Sequence, residues 1–469
     1  MPPIEHVVVL MLENRSFDMV LGWLYPGRPD FDGLSGDEAN VLTEVGAGER
    51  CVRVWTSREL TPEAVRMPDP DPGELFHDIN MQIFGLNGRP GIDPPTMSGF
   101  ADNYARQNPP PRDPSQVMHC LTPDHVPVMS ALGRAFGVCD RWFASAPCQT
   151  WPNRLFTHAG TAGGRVDNWA IPVPLFLRTV FRTLERFGRT WRIYFHDLPQ
   201  TAALTDLWTR IPTHFRFFEG DFAEDAATGR LPNYSFIEPR YYPSLINGVP
   251  PNDEHPPHNL LYGEQLIGSV YNALRAGPAW DRTLLVVTFD EHGGCYDHVP
   301  PPPATSPGPP YPDGFRFDRF GVRVPAVIAS PWIPAGSVIR PPQNGPPFDH
   351  TSIIATLHRL FELGPEPTPR VAAAPDLLGV LSLPGPDNQG PSRMVELAIE
   401  ADGAELRRLH RLRGNHHQRR LRHPLALVPG LAARLAAHVH RRWPKRRAPK
   451  DETRMAGTRA GRDEVGAGQ

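Results

Sequence analysis

No apolar run in the 469 residues approaches the ~18 needed to cross a bilayer as a helix, so nothing in the sequence reads as a membrane span. Cysteine is scarce: Cys51, Cys120, Cys139, Cys148 and Cys295 are odd in number, widely spaced and without a Cys-x-x-Cys pair. That excludes a disulfide framework or a structural zinc knuckle as the organising device. No charged leader precedes the first strand-like segment, which begins within the first ten residues. The expected location is therefore cytoplasmic as written, or exported if the true start lies upstream. No unit of 20–50 residues repeats, which excludes a solenoid or propeller.

What is present is a chain long enough for one large α/β domain with insertions or for two average domains. Hydrophobic residues at 40% and charged residues at 21% exclude a fibre or a wholly disordered chain. Proline, with 57 residues, is well above the usual ~5% and concentrates in runs such as 300–315 and 341–347, so long stiff loops are expected. These loops are expected to wall the site. The net charge of −3 hides an asymmetry, because residues 401–450 hold 14 Lys/Arg against 2 Asp/Glu. The expected division is a catalytic domain over 1–400 and a flexible basic tail over 401–469.

His6–Leu12 (HVVVLML) and Thr283–Phe289 (TLLVVTF) read as buried strands, with Val324–Ser330 a less sharp third. Leu266, Ile267, Val270, Tyr271 and Leu274 share a helical face, as do Ile353, Ile354, Leu357, Leu360 and Phe361. Strands alternating with amphipathic helices imply a mainly parallel sheet covered on both faces. Residues 40–120 read as irregular. Ligands of such sheets bind beyond the carboxyl ends of the strands, where two acidic clusters fall.

The first cluster is Glu13-Asn14-Arg15-Ser16-Phe17-Asp18. A carboxylate and an amide oxygen at a strand end are hard donors able to face one cation, although Asn, Ser and Asp are equally suited to capping a turn. In the second, Asp290-Glu291-His292-Gly293-Gly294-Cys295-Tyr296-Asp297-His298, two adjacent carboxylates after a buried strand repel each other unless a cation compensates. Third is Cys148-Gln149-Thr150-Trp151-Pro152-Asn153-Arg154, ahead of a helix expected to start near Asn153. A hydroxyl there suits an anionic phosphate and becomes a nucleophile if a divalent cation stabilises its alkoxide; as a helix cap, Thr150 would need neither. His77, His119, His255, His258 and His350 could each be a ligand, a phosphate-binding cation, an acid or a structural residue.

Taken in order, ENRSFD, TWPNR, DEHPP, TFDEHGGCYDHVPPP, RVPAVIASPWIP and FDHTSIIATL resemble the phosphoesterase family of bacterial phospholipases C and acid phosphatases, over roughly residues 4–365. The resemblance implies an alkaline-phosphatase-like, three-layer α/β/α sandwich and hydrolysis of phosphate esters with a divalent metal ion. It further implies Glu13, Asn14, Asp290 and Glu291 as metal ligands and Thr150 as nucleophile, passing through a phosphothreonine. His255 and His350 would be catalytic, and His77 and His298 would bind phosphate. Cys148-Gln149 stands where relatives often have Gly-Pro, and Cys295 where they have an aromatic. A non-catalytic metal- or phosphate-binding protein of the same fold is the alternative. A sulfate-ester hydrolase is disfavoured, because Thr150 cannot be oxidised to formylglycine.

The expected substrate is a phosphate ester or a phospholipid, with monoester and diester left open. Leu431, Leu435, Val439 and Trp443, set among Arg434, Arg441, Arg442, Lys445, Arg446 and Arg447, would form a basic amphipathic helix able to touch an anionic membrane. A solvated tail or nucleic-acid contact would use the same charges, and nothing firmer points to a nucleic-acid or protein partner.

Overall fold

The computed structural model describes residues 2–44, 48–168, 175–245, 247–309, 311, 314–397, 399 and 403–411. Residues 412–469, including the amphipathic pattern from Leu431 to Trp443, lie outside the described residues.

The apolar runs become the centre of an eight-stranded sheet. Its strands are β1 (His6–Leu12), β2 (Gly137–Cys139), β3 (Trp191–Phe195), β4 (Phe215–Phe217), β5 (Tyr234–Glu238), β6 (Thr283–Phe289), β7 (Ala326–Ala329) and β8 (Ser337–Ile339). They lie in the order β8-β2-β7-β6-β1-β5-β3-β4. β1 runs parallel to both neighbours, with Leu10 opposite Ile237 and Leu12 opposite Phe289. β7 alone runs antiparallel, bounded by Pro325 and Pro331, which cannot extend its ladder. Every residue of β1 and β6 is buried, as a sheet covered on both faces requires.

Helices cover the two faces. A Cβ placed on Gly133 of the Pro127–Ala135 helix would lie 3.7 Å from Val327, which pairs with Val287, itself opposite Leu10. On the other face, the Thr150–Ala159 helix sets Thr157 against Met11 and His158 against Phe236. The chain is an α/β protein with a three-layer α/β/α arrangement, as expected. The two amphipathic patterns form the Leu261–Ala276 and Thr351–Phe361 helices.

Two local expectations change. The helix expected near Asn153 starts at Thr150, because Pro152 is tolerated in a first turn, where its missing N–H has no partner to lose. Residues 40–120 are not irregular throughout: they hold a hairpin of Ala39–Glu44 with Gly48–Arg53 and the Phe76–Phe84 and Phe100–Ala105 helices. These pack a second apolar cluster that includes Ile79, Ile83, Phe100, Tyr104 and Met118. The proline segments face each other across a cavity lined by Arg141, Phe143, Pro300, Pro303, Pro342 and Pro347.

Candidate active site

Because Leu12 and Phe289 are in register, the chain leaves β1 at Glu13 and β6 at Asp290 side by side. Asn14 takes a left-handed backbone, φ 57°, which Asn tolerates better than most residues. Its N–H donates to Asp290 Oδ1 at 3.3 Å, and its Nδ2 donates to Glu291 Oε1 at 3.1 Å. The four residues Glu13, Asn14, Asp290 and Glu291 are fully buried and gathered at one place. Gly293 closes the turn at φ 61°, and a Cβ there would lie 2.2 Å from the Asn14 carbonyl oxygen, so only glycine fits.

Thr150, at the first position of its helix, points its hydroxyl at this cluster and donates from Oγ1 to Asn14 Oδ1 at 3.3 Å. Asn153 fixes the preceding loop by donating to the carbonyls of Ala146 and Cys148. One turn on, Arg154 reaches both strand ends: Nε donates to Asp290 Oδ2 at 2.8 Å, and Nη2 lies 3.3 Å from Glu13 Oε1. Gln200 Nε2 donates to the same Glu13 oxygen at 2.8 Å.

A second acidic group joins from the 40–120 region. Glu74 Oε1 accepts from Asn14 Nδ2 at 2.6 Å and lies 3.2 Å from His255 Nε2. Asp71 Oδ1 lies 3.6 Å from His255 Nδ1. Ligand atoms of Asp71, Glu74 and His255 all fall within 4.8 Å of one another.

The profile of the phosphoesterase family matches residues 4–364. The chain belongs to this family. It is an enzyme, a phosphoric ester hydrolase. Among curated relatives, the non-specific phospholipase C3 of Arabidopsis thaliana is 38% identical over 414 residues, spanning 85% of this chain and 77% of that one. The non-specific phospholipase C1 of the same plant is 40% identical over 374 residues, spanning 77% and 67%. The non-hemolytic phospholipase C of Pseudomonas aeruginosa is 27% identical over 435 residues, spanning 82% and 58%. A phosphonate monoester hydrolase of Agrobacterium radiobacter, among solved structures, aligns over 51% of this chain and 67% of that one with 13% identity and a TM-score of 0.30.

In this phosphoesterase the clustered carboxylates raise one another's pKa. Burial pushes Glu291 well above the usual range, and the neighbouring Glu74 and Asp290 push it further. Burial also lifts Glu13 and Asp290, opposed in each by Arg154. Asp71 is raised by burial, opposed by the neighbouring His255 and reinforced by Glu74. Burial alone would lower His255, but Asp71 and Glu74 outweigh it and hold the ring well above its ordinary value.

The donor set fits a divalent cation. Five carboxylates, Glu13, Asp71, Glu74, Asp290 and Glu291, converge here against two cationic side chains, Arg154 and His255, so negative charge is in excess. Asp71 Oδ1 is buried without a hydrogen-bond partner among the described residues. Oxygen-rich sites of this kind suit hard cations.

The remaining histidines are placed differently. His350 abuts the cluster through backbone only: Nδ1 accepts from Trp142 at 3.3 Å and Nε2 meets the Asp290 carbonyl at 2.6 Å. Burial lowers its pKa to about 4. Both ring nitrogens are thus used by the protein. His298 sits in a separate network, 2.6 Å from Asp18 and 3.2 Å from Asp32, whose hydrogen bonds overcome burial and raise it to about 10. Asp18, Asp297 and His298 could also gather round an ion, but Arg323 already bridges Asp18 and Asp297 at 2.8 and 2.9 Å. His77 is on the exposed side of its helix, 77% exposed, 3.7 Å from Asp78.

Sequence reasoning misses Asp71, Glu74, Arg154 and Gln200. Asp71 and Glu74 carry a signal, two carboxylates three apart among prolines, and Arg154 stands in the TWPNR motif; Gln200 carries none.

Proposed function

We propose that the chain is a metal-dependent phospholipase C-type hydrolase acting through Thr150. The observation that carries this reading is the Thr150 Oγ1 contact with Asn14 Oδ1, which sets a helix N-terminal hydroxyl against the buried carboxylates. The relatives at 38–40% identity, named as phospholipases C, support a phospholipid diester as substrate.

Glu13, Asn14, Asp290 and Glu291 would hold the cation, with Asp71 and Glu74 beside them. When bound, it supplies a stabilised Thr150 alkoxide and charge for the equatorial phosphoryl oxygens. Thr150 Oγ1 attacks phosphorus in line, the bond to the leaving alcohol oxygen breaks, and a phosphothreonine forms. His255 protonates that leaving oxygen, since Asp71 and Glu74 keep its ring protonated 2.9 Å from Asn14, whereas burial lowers His350 to about 4 and leaves it no proton to give. His350 instead positions Asp290. Water then gives a proton back to His255 and attacks phosphorus from the vacated side as the bond to Thr150 Oγ1 breaks, so two inversions give retention.

Hydrolysis of p-nitrophenyl phosphorylcholine beside p-nitrophenyl phosphate, with and without chelator and metal add-back, tests this. Turnover of the diester is expected. Turnover of the monoester alone would make the enzyme a phosphatase, and silence on both with metal bound would favour the non-catalytic reading.

A further inference from the structure

The start of the region expected to be a loose tail is a helix, Gly403–Arg411, that buries Glu405, Leu406 and Leu409 against the catalytic body. It touches two loops. Glu405 Oε1 accepts from Arg66 Nε at 3.1 Å, and Tyr262 donates to its other oxygen at 3.5 Å. Arg408 donates to Asp69 Oδ2 at 3.3 Å through Nη1 and to the Pro257 carbonyl at 3.1 Å through Nη2. Asp69 stands two residues before Asp71, and Pro257 two residues after His255.

The same two loops are tied from inside. Arg15, fully buried, donates to the carbonyls of Met67 and Glu254 at 2.7 Å each. Leu260 N–H donates to the Val65 carbonyl at 3.1 Å. Arg15 is thus a fully buried tie and Arg408 a partly exposed one between the two loops that carry Asp71, Glu74 and His255.

We propose that Glu405 and Arg408 are positioning residues: their helix clamps the 66–74 and 253–258 loops together and so sets the affinity of the site for its cation. The clamp rests on the reading that Asp71, Glu74 and His255 border the metal site. Ordering two loops before a ligand arrives removes that cost from binding, so a broken clamp shows first in affinity.

The test uses the full chain, stripped by chelator, titrated calorimetrically with Mn2+ alone, beside amide hydrogen exchange of residues 66–74 and 253–258. Glu405→Arg and Arg408→Ala are expected to weaken Mn2+ by about tenfold and to speed exchange in both loops. The swap Arg66→Glu/Glu405→Arg, which restores the pair with reversed sign, is expected to recover most of the loss. Arg393→Ala, a surface ion-pair control, should change neither. Unchanged exchange in both loops in Arg408→Ala, or Mn2+ affinity in both single variants within about twofold of wild type, would overturn the clamp. Normal Mn2+ behaviour with no turnover of either ester by wild type would instead defeat the hydrolase reading and leave the clamp to be judged on binding.

Discussion

The hydroxyl of Thr150 donates to the side-chain oxygen of Asn14 at 3.3 Å, across 136 residues of sequence. Asn14 is on the turn that ends β1, and Thr150 begins a helix on one face of the sheet, so the contact joins two layers of the fold. It also places the hydroxyl one side chain away from Glu74, His255 and Glu291, all of which meet Asn14 Nδ2.

Arg154 is the buried cation shared by Glu13 and Asp290. Both carboxylates are fully buried, so removing the guanidinium leaves charge in a low dielectric. Arg154→Ala is expected to destabilise the chelator-stripped protein by roughly 3–5 kcal/mol in urea unfolding. Added divalent ion should return part of that loss, because it supplies the same missing charge.

Gly293 allows the 290s turn to pass against Asn14. With φ 61° and only 2.2 Å between an added Cβ and the Asn14 carbonyl oxygen, Gly293→Ala forces the two turns apart. The expected result is a kcat/KM lower by at least ~10-fold with loss of thermal stability, measured together; the close approach costs more than the ~1 kcal/mol typical of a glycine substitution.

His298 gives stability a pH dependence of its own. Its folded pKa is raised to about 10 from the ordinary 6.5, so the folded state keeps a proton that the unfolded chain has lost. The contribution is therefore whole below about pH 6.5 and falls away as pH rises toward 10, with a slope of at most ~1.4 kcal/mol per pH unit. His298→Asn should flatten the stability profile between those limits. Activity on the phosphoryl group should change less, since His298 is bound by Asp18 and Asp32.

The central strands and the two acidic strand ends were legible because burial on both faces writes an unbroken apolar run, and the polar residues begin where the run stops. The Leu261–Ala276 and Thr351–Phe361 helices were legible from periodicity. Asp71 and Glu74 were not, because they sit on a loop whose course is set by distant ties: Arg15 to Met67, and Tyr104 to the Pro70 carbonyl at 2.7 Å. Local sequence carries no trace of such long-range bonds. His77 and His298 show the converse, since neighbouring sequence placed them near the motifs while exposure and the Asp18–Asp32 pair gave them other surroundings.

The most direct test is hydrolysis of p-nitrophenyl phosphorylcholine by metal-loaded wild type and Thr150→Ala, with mass spectrometry of the acid-quenched wild-type enzyme. Loss of turnover by about a thousandfold or more in a variant that keeps its melting temperature and its Mn2+ affinity is expected, together with a phosphorylcholine adduct on Thr150 in the wild type. Turnover by Thr150→Ala near the wild-type rate, or an adduct on another residue, would contradict the account.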